Sequence, residues 1–343
     1  MTRRLSSPSG LALLPSLDTF FYISKRCAQG LLTLLLASLL SFIIIQLAPG
    51  SYLDTLQQNP KISPETLNQL KVQFGLDQPW YIQYGRWLWQ VVTQFNFGQS
   101  FVYNRSVASL LVERIPATLL LALTSILLTW AIALPLGIIS AVKQNTWLDR
   151  GLRVLSYLGQ GFPSFITALL LLILAQNLSP LLPVGNMTSL NYAEFSPLQK
   201  VLDILWHLIL PTLALSITSF AGLQRLMRGQ LLDVLRQDYI QTARAKGLPE
   251  NRVLYVHALR NAINPLITLL GFEFASLLSG AFIAEFFFNW PGLGRLILQA
   301  VTAQDLYLVM GSLIMGAAML IVGNLLADLL LQWVDPRIQL DDL

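Results

Sequence analysis

The chain holds one cysteine and two histidines in 343 residues, and only 12% of its residues are charged. A lone Cys27 excludes an internal disulfide. One cysteine with His207 and His257 cannot complete the usual four-ligand structural zinc site, so no metal site is expected. No phosphate-binding loop of the Gly-x-x-x-x-Gly-Lys-Ser/Thr type occurs, so the chain is not itself an ATPase. The scarcity of charge accompanies 54% hydrophobic residues and a mean hydropathy of +0.58, too apolar for a soluble domain of this length. An integral membrane protein is the reading. A net charge of +4 would suit nucleic acid, but the basic residues flank apolar segments, where they set membrane orientation. No nucleic-acid binding is expected.

A bilayer core about 30 Å thick needs roughly 20 apolar residues of helix. Segments 27–48, 115–141, 152–177, 202–222, 262–288 and 306–333 meet that length, which predicts an all-α protein of six transmembrane helices. The first follows Lys25 and Arg26 in the manner of a signal peptide, yet it is too long for one. Pro49 also spoils a cleavage site after Ala48, so a retained span is expected. Basic residues gather in the first 26 positions, at Lys143, Arg150 and Arg153, throughout the 223–261 loop, and at Arg337. That bias predicts cytoplasmic termini, a cytoplasmic 223–261 loop and an outward-facing first loop. The predicted organisation is a tail at 1–26, a first transmembrane helix at 27–48 and a periplasmic loop with short helices at 49–114. A five-helix core at 115–334, containing the 223–261 loop, and a tail at 335–343 complete it.

In the outer loop, Ser63-Pro64-Glu65 supplies a cap, a first-turn proline and an acidic first turn, and Leu67, Leu70 and Phe74 share a face up to Gly75. Trp80, Tyr84, Trp87, Leu88 and Val91 then form an amphipathic stripe suited to the membrane interface. The 223–261 loop is also patterned. Met227, Leu231, Val234 and Leu235 predict a helix extending the fourth span, with Arg228, Asp233 and Arg236 in water. Ala243, Ala245 and Gly247 permit close approach and a helix stop, and Pro249-Glu250 opens another helix. Taken alone, Gly247 is a helix stop and the arginines enforce topology. A rigid pair of short helices at the membrane surface is nevertheless the shape of a docking element.

Ala243-Arg-Ala-Lys-Gly247 with His257-Ala-Leu-Arg260-Asn261-Ala resembles the glycine-containing cytoplasmic motif of importer permeases driven by ATP-binding-cassette subunits. The resemblance is to the dipeptide, oligopeptide and nickel branch and runs through nearly the whole chain from residue 21. It includes Leu47-Ala48-Pro49-Gly50, Phe74 through Pro79, Phe97-Gly98-Gln99-Ser100 and Glu113 through Thr118. Further along it includes Asn289 through Gly294, Asn324 through Asp328, and Asp335-Pro336-Arg337. The long outer loop is similar to that of the B-type subunit. The chain departs from the superfamily motif at Gln241, where a glutamate is usual, at Thr242, and at Ser51, where an aspartate is usual. Residues 1–20 match nothing recognised.

The resemblance implies a translocation subunit without catalytic residues. Asp238, Tyr239, Ala243, Arg244, Ala245, Lys246 and Gly247 would contact the ATPase, and His257, Arg260 and Asn261 would form a supporting second helix. Implied partners are a second, C-type permease, two ATP-binding-cassette ATPase subunits, an extracytoplasmic substrate-binding protein and the lipid of a bacterial inner membrane. No cofactor is expected on this chain, with ATP and magnesium confined to the ATPases. Ionisable groups at membrane depth are functional candidates, and Glu273, Asn324 and Asp328 are those for the translocation pathway. Glu285 is expected to brace the Asn289-Trp290-Pro291-Gly292 turn, and Ser276, Gly280 and Ala284 form a strip for close helix packing. A secondary transporter or channel not powered by ATP is the alternative, although the inverted repeats common in such transporters are missing. An intramembrane serine protease would need a nucleophile and a histidine at membrane depth, and His207 has no evident partner. The residues leave the substrate open among peptides, nickel and glutathione.

Overall fold

The structure, a computed structural model, describes residues 17–50, 52–57, 63–178 and 181–334. Side chains are described throughout these ranges except at 17–23, 55–56, 268, 271–280 and 326–334. The first-loop end contains α1 (Leu17–Leu47), α2 (Tyr52–Gln57), α3 (Pro64–Gln73) and α4 (Trp80–Gln94). The bundle continues with α5 (Val107–Val142), α6 (Trp147–Gly161), α7 (Ser164–Asn177) and α8 (Pro197–Leu235). Then come α9 (Asp238–Ala245), α10 (Glu250–Arg252), a π-helical turn (Val253–Ala258) and α11 (Leu259–Ala262). The chain closes with α12 (Asn264–Phe287), α13 (Leu293–Thr302) and α14 (Leu306–Val334).

The long helices begin where the residues provide caps. Ser106 Oγ accepts from Ser109 N at 3.2 Å to start α5. Ser196 and Gln199 form a reciprocal capping box ahead of Pro197 in α8. At 1.5 Å per residue, the 39 residues of α8 reach about 58 Å, nearly twice a hydrocarbon core. The fourth predicted span and its extension are therefore one helix. Four helices among the described residues are long and apolar enough to cross a membrane: α1, α5, α8 and α14. The predicted span at 152–177 is not one straight helix, because α6 and α7 meet at a bend of 100°. Pro163 causes the break: Phe162, the residue before it, is extended (φ −92°, ψ 125°) and ends α6. Counting the bent pair as one span gives five. The 262–288 segment is also helical, as the 24 residues of α12.

Helices α5 and α8 form the central pair. A Cβ on Gly137 of α5 would lie 2.7 Å from Met227 Cβ and 2.9 Å from Gln224 O, so only glycine lets the two helices come this close. Helix α12 packs on α14, and α1 covers α14 from outside while exposing Leu31, Leu32, Leu36 and Leu40. Because α5 starts in a cluster with Leu293 and Leu308 and ends in one with Ile240 and Val253, those clusters mark opposite ends of the bundle.

The first-loop end folds back on the bundle. Ser63 caps α3 as expected, its Oγ accepting from Thr66 N at 3.2 Å. The stripe on α4 turns inward: Trp87 is buried, and Tyr84, Leu88 and Val91 pack beside Phe42, Phe101 and Met310. That corrects the interfacial reading for those four residues, because the loop needs the same apolar face to seat on α1 and α14. Ser38 Oγ and Tyr84 Oη, 2.9 Å apart, add a polar tie.

Candidate functional site

The segment α9 to α11 stands at the opposite end from the first loop. Asp238 opens α9 with a negative charge in its first turn, favourable at a helix N-terminus. Every third or fourth residue then points inward. Ile240 is fully buried and Ala243 is 7% exposed, and both join Leu231 of α8, Val253, Leu254 and Ala258 of the π-helical turn, and Leu266 of α12. Ile240 is the anchor, and cutting such a side chain to alanine costs about 2–5 kcal/mol. Ala243 therefore faces the body of the protein. Asp238, Tyr239, Gln241, Thr242, Ala245, Lys246 and Gly247 form the exposed face.

Gly247 ends the helix in the left-handed region at φ +74°, its N–H bonding to Arg244 O at 2.9 Å. A Cβ there would meet nothing within 4 Å among the described residues, so the site is strained for other residues but open around that atom. Arg244 bridges the bend to Glu250 with bonds of 2.6 and 3.2 Å. That guanidinium holds the Glu250 carboxyl below its ordinary pKa. Asn261 Nδ2 donates to Tyr239 Oη at 3.0 Å and to His257 O at 2.9 Å, which ties α11 to α9. Arg260 is exposed and His257 is half-buried. The structure thus assembles the sequence-selected residues into one unit, with Ala243 on its inner face. Tyr255 and Val256 were missed; they are more than half exposed and extend the outer surface with apolar area.

Beside this unit lies an ion pair that the sequence reading placed wrongly. Arg228 does not stand in water. Its Nε and Nη2 donate to Asp149 Oδ1 and Oδ2 at 2.8 and 2.9 Å, and the Asp149 side chain is fully buried. Ser140 Oγ and Asn145 N donate to the same carboxylate at 2.5 and 2.9 Å, and Arg153 Nε lies 3.7 Å from Oδ2 as a second, more distant cation. These donors, the Arg228 guanidinium first, hold Asp149 well below the usual carboxylate range. A signal was available: Thr146 caps α6 and Asp149 stands three residues on, in its first turn.

The expected brace at Glu285 is present. Its Oε1 accepts from Thr118 Oγ1 at 2.6 Å and its Oε2 from Arg295 N at 3.0 Å, at the start of α13. Trp290 Nε1 donates to Ala117 O at 2.9 Å, and Leu293 N donates to Thr118 Oγ1 at 2.8 Å, so the 289–292 turn is bound to α5. Of the pathway candidates, Asn324 is half-buried on α14. The side chains of Glu273 and Asp328, and of Ser276 and Gly280, lie outside the described residues; Ala284 is buried. His207 does have a partner one turn back, its Nδ1 lying 2.8 Å from Asp203 O. The Asp203 carboxylate holds Ser189 N and Oγ at 2.8 and 2.5 Å. Among the described residues, no group of His, Cys, Asp and Glu could hold a metal ion.

Comparison with known proteins identifies the family. The family described as "Binding-protein-dependent transport system inner membrane component" matches residues 133–340, and its N-terminal companion matches residues 19–122. The oligopeptide transport system permease protein AppB of Bacillus subtilis is 41% identical over 320 residues, covering 93% of this chain and 99% of the relative. The dipeptide transport system permease protein DppB of Escherichia coli is 34% identical over 334 residues, covering 93% and 98%. Among solved structures, the inward-facing MetNI methionine ABC transporter superposes with a TM-score of 0.52 at 15% identity, covering 66% of this chain and 97% of that one, a likeness of fold. With its apolar helices and family matches across both halves, this chain is an integral membrane protein belonging to the binding-protein-dependent transport system inner membrane components.

Proposed function

We propose that the chain is the membrane-spanning subunit of an ATP-driven peptide importer and that α9 to α11 couple ATPase movement to alternating access. The observation that carries this is the two-sided build of α9, which packs on α8 and the π-helical turn with Ile240 buried in the cluster they share with α5 and α12, while Asp238, Tyr239, Lys246 and Gly247 remain outside. Two relatives named as peptide-transport permeases, matched over 93% of this chain, support the substrate class. In this reading six spans cross a bacterial inner membrane, with α9 to α11 in the cytoplasm beside most of the basic residues and the 64–106 segment outside. Two ATPase subunits carry the nucleotide, a second permease completes the pathway, and an extracytoplasmic binding protein delivers peptide.

The test is uptake of labelled peptide into vesicles carrying the reconstituted complex. Uptake should require ATP, the ATPase subunits and the binding protein. Transport that persists without nucleotide would show a channel or an ion-driven transporter instead.

A further inference from the structure

At the first-loop end, α3, α4 and the 96–106 segment enclose an open cleft of about 520 Å³, within the range of about 300–1,000 Å³ common for small-ligand sites. Its walls are tied together. Tyr307 Oη donates to Phe74 O at 2.7 Å, Trp87 Nε1 to Phe97 O at 3.1 Å, and Gly98 N to Asn96 Oδ1 at 3.0 Å. The lining is rich in carboxamides, and neither aspartate nor glutamate reaches it. Gln73, Gln90 and Gln99 line it together with Arg86, and none of these four side chains makes a hydrogen bond or ion pair among the described residues.

That combination has a specific complement. A carboxamide offers the same donor and acceptor as a peptide bond, while a guanidinium presents paired donors that fit a carboxylate. Among the described residues, no acidic side chain lines the cleft beside the Arg86 cation. We propose that this cleft binds the C-terminal end of a short peptide, with Arg86 taking the terminal carboxylate and the glutamines taking the backbone amides. The proposal rests on the peptide-importer reading and adds a substrate site on the outer face of the permease, apart from the coupling unit and from the intramembrane pathway candidates.

The test uses the complete transporter in nanodiscs without nucleotide or binding protein, with trialanine and trialanine amide as probes in saturation-transfer NMR. Trialanine should bind saturably. The amide and the Arg86→Gln variant should each weaken binding about tenfold, the loss expected for one charge-assisted contact. Gln90→Ala should weaken it less, and both variants should melt like the wild type. Absent saturable binding of trialanine, equal binding of the acid and the amide, or unchanged binding by Arg86→Gln each overturns the site. If Arg86→Gln spares peptide binding but weakens docking of the binding protein, the carboxylate belongs to an acidic side chain of that protein and the peptide site is refuted. Wild-type complex that imports peptide with ATP but shows no binding in the nanodisc assay overturns the cleft alone. Complex that fails to import with ATP overturns the importer reading itself.

Discussion

Arg228 on α8 grips both carboxylate oxygens of Asp149 on α6, at 2.8 and 2.9 Å, and so fixes the turn after α5 to the helix that leads into α9. Removing Arg228 leaves a fully buried carboxylate with two hydrogen bonds and only the more distant Arg153 as a cation. Arg228→Ala should lose about 3–5 kcal/mol of stability, the cost of breaking a buried pair from one side. Arg228→Lys should recover only part of it, since an ammonium cannot bond both oxygens in one plane. Thermal melting of the purified complex measures this, and an unchanged midpoint in Arg228→Ala would contradict it. The acid response has a definite sign. Because the folded-state pKa of Asp149 is depressed, its contribution is complete above the ordinary carboxylate range and is lost only as pH falls through the lowered value. The clamp should hold in mild acid.

A substitution at Gly247 distinguishes folding from the proposed coupling. Its φ of +74° makes any other residue cost about 1 kcal/mol, yet a Cβ built there meets no atom of the described residues beyond its chain neighbours within 4 Å. Gly247→Trp should insert and melt nearly like the wild type while ATP hydrolysis no longer drives uptake. Gly247→Asn, better tolerated in this conformation, should retain more transport. Normal uptake by the tryptophan variant would sink the coupling assignment.

Gly292 tests the brace at Glu285. A Cβ there would lie 2.1 Å from the Glu285 carboxyl carbon, so Gly292→Ala forces the buried carboxylate away from Thr118 and from the start of α13. Overpacking of this kind costs about 1–3 kcal/mol. The melting midpoint should fall clearly, and Glu285→Ala should also lower it by leaving Thr118 Oγ1 and Arg295 N without their acceptor. A Gly292→Ala protein as stable as the wild type would rule out this packing.

Asp305 supplies a pH test with the opposite sign. The carboxylate accepts from Ser100 Oγ at 2.5 Å, Val102 N at 3.0 Å and Leu308 N at 3.2 Å, but burial still pushes its pKa up. The folded state therefore holds this proton more tightly than the unfolded one, and stability gained at this site grows as pH falls through the raised value. Asp305→Asn has no proton to bind. The midpoint difference, wild type minus Asp305→Asn, should move in favour of the wild type between neutral and mildly acid pH. A flat difference would remove Asp305 as its source.

Much of the fold was legible because membrane helices announce themselves by long apolar runs and loops by their caps. Ser63, Ser196, Gly247 and Pro249 all work as their residue types suggest. Two of the misreadings share a cause: each required knowing which distant segment a face meets. The stripe from Tyr84 to Val91 has the same periodicity whether it faces lipid or the protein, and only the return of the first loop onto Phe42 and Met310 decides. Arg228 looks like a surface cation until Asp149, 79 positions earlier, is brought beneath it. Gly161 and Pro163 do carry the break between α6 and α7 locally, but the apolar run across them masked it. Within the candidate site, the exposed face of α9 was readable from charge and small residues. The inward turn of Ala243 follows from its place one helical turn after Ile240.

The burial of Ile240 has a mechanical consequence. Its cluster takes side chains at once from α5, α8, the π-helical turn and α12, and packed interiors of this kind compress little. The cluster therefore acts as a bearing shared by three long shafts. In the proposed coupling, a displacement of α9 would press first on α8 and the π-helical turn, which it touches, and would reach α5 and α12 only through their packing.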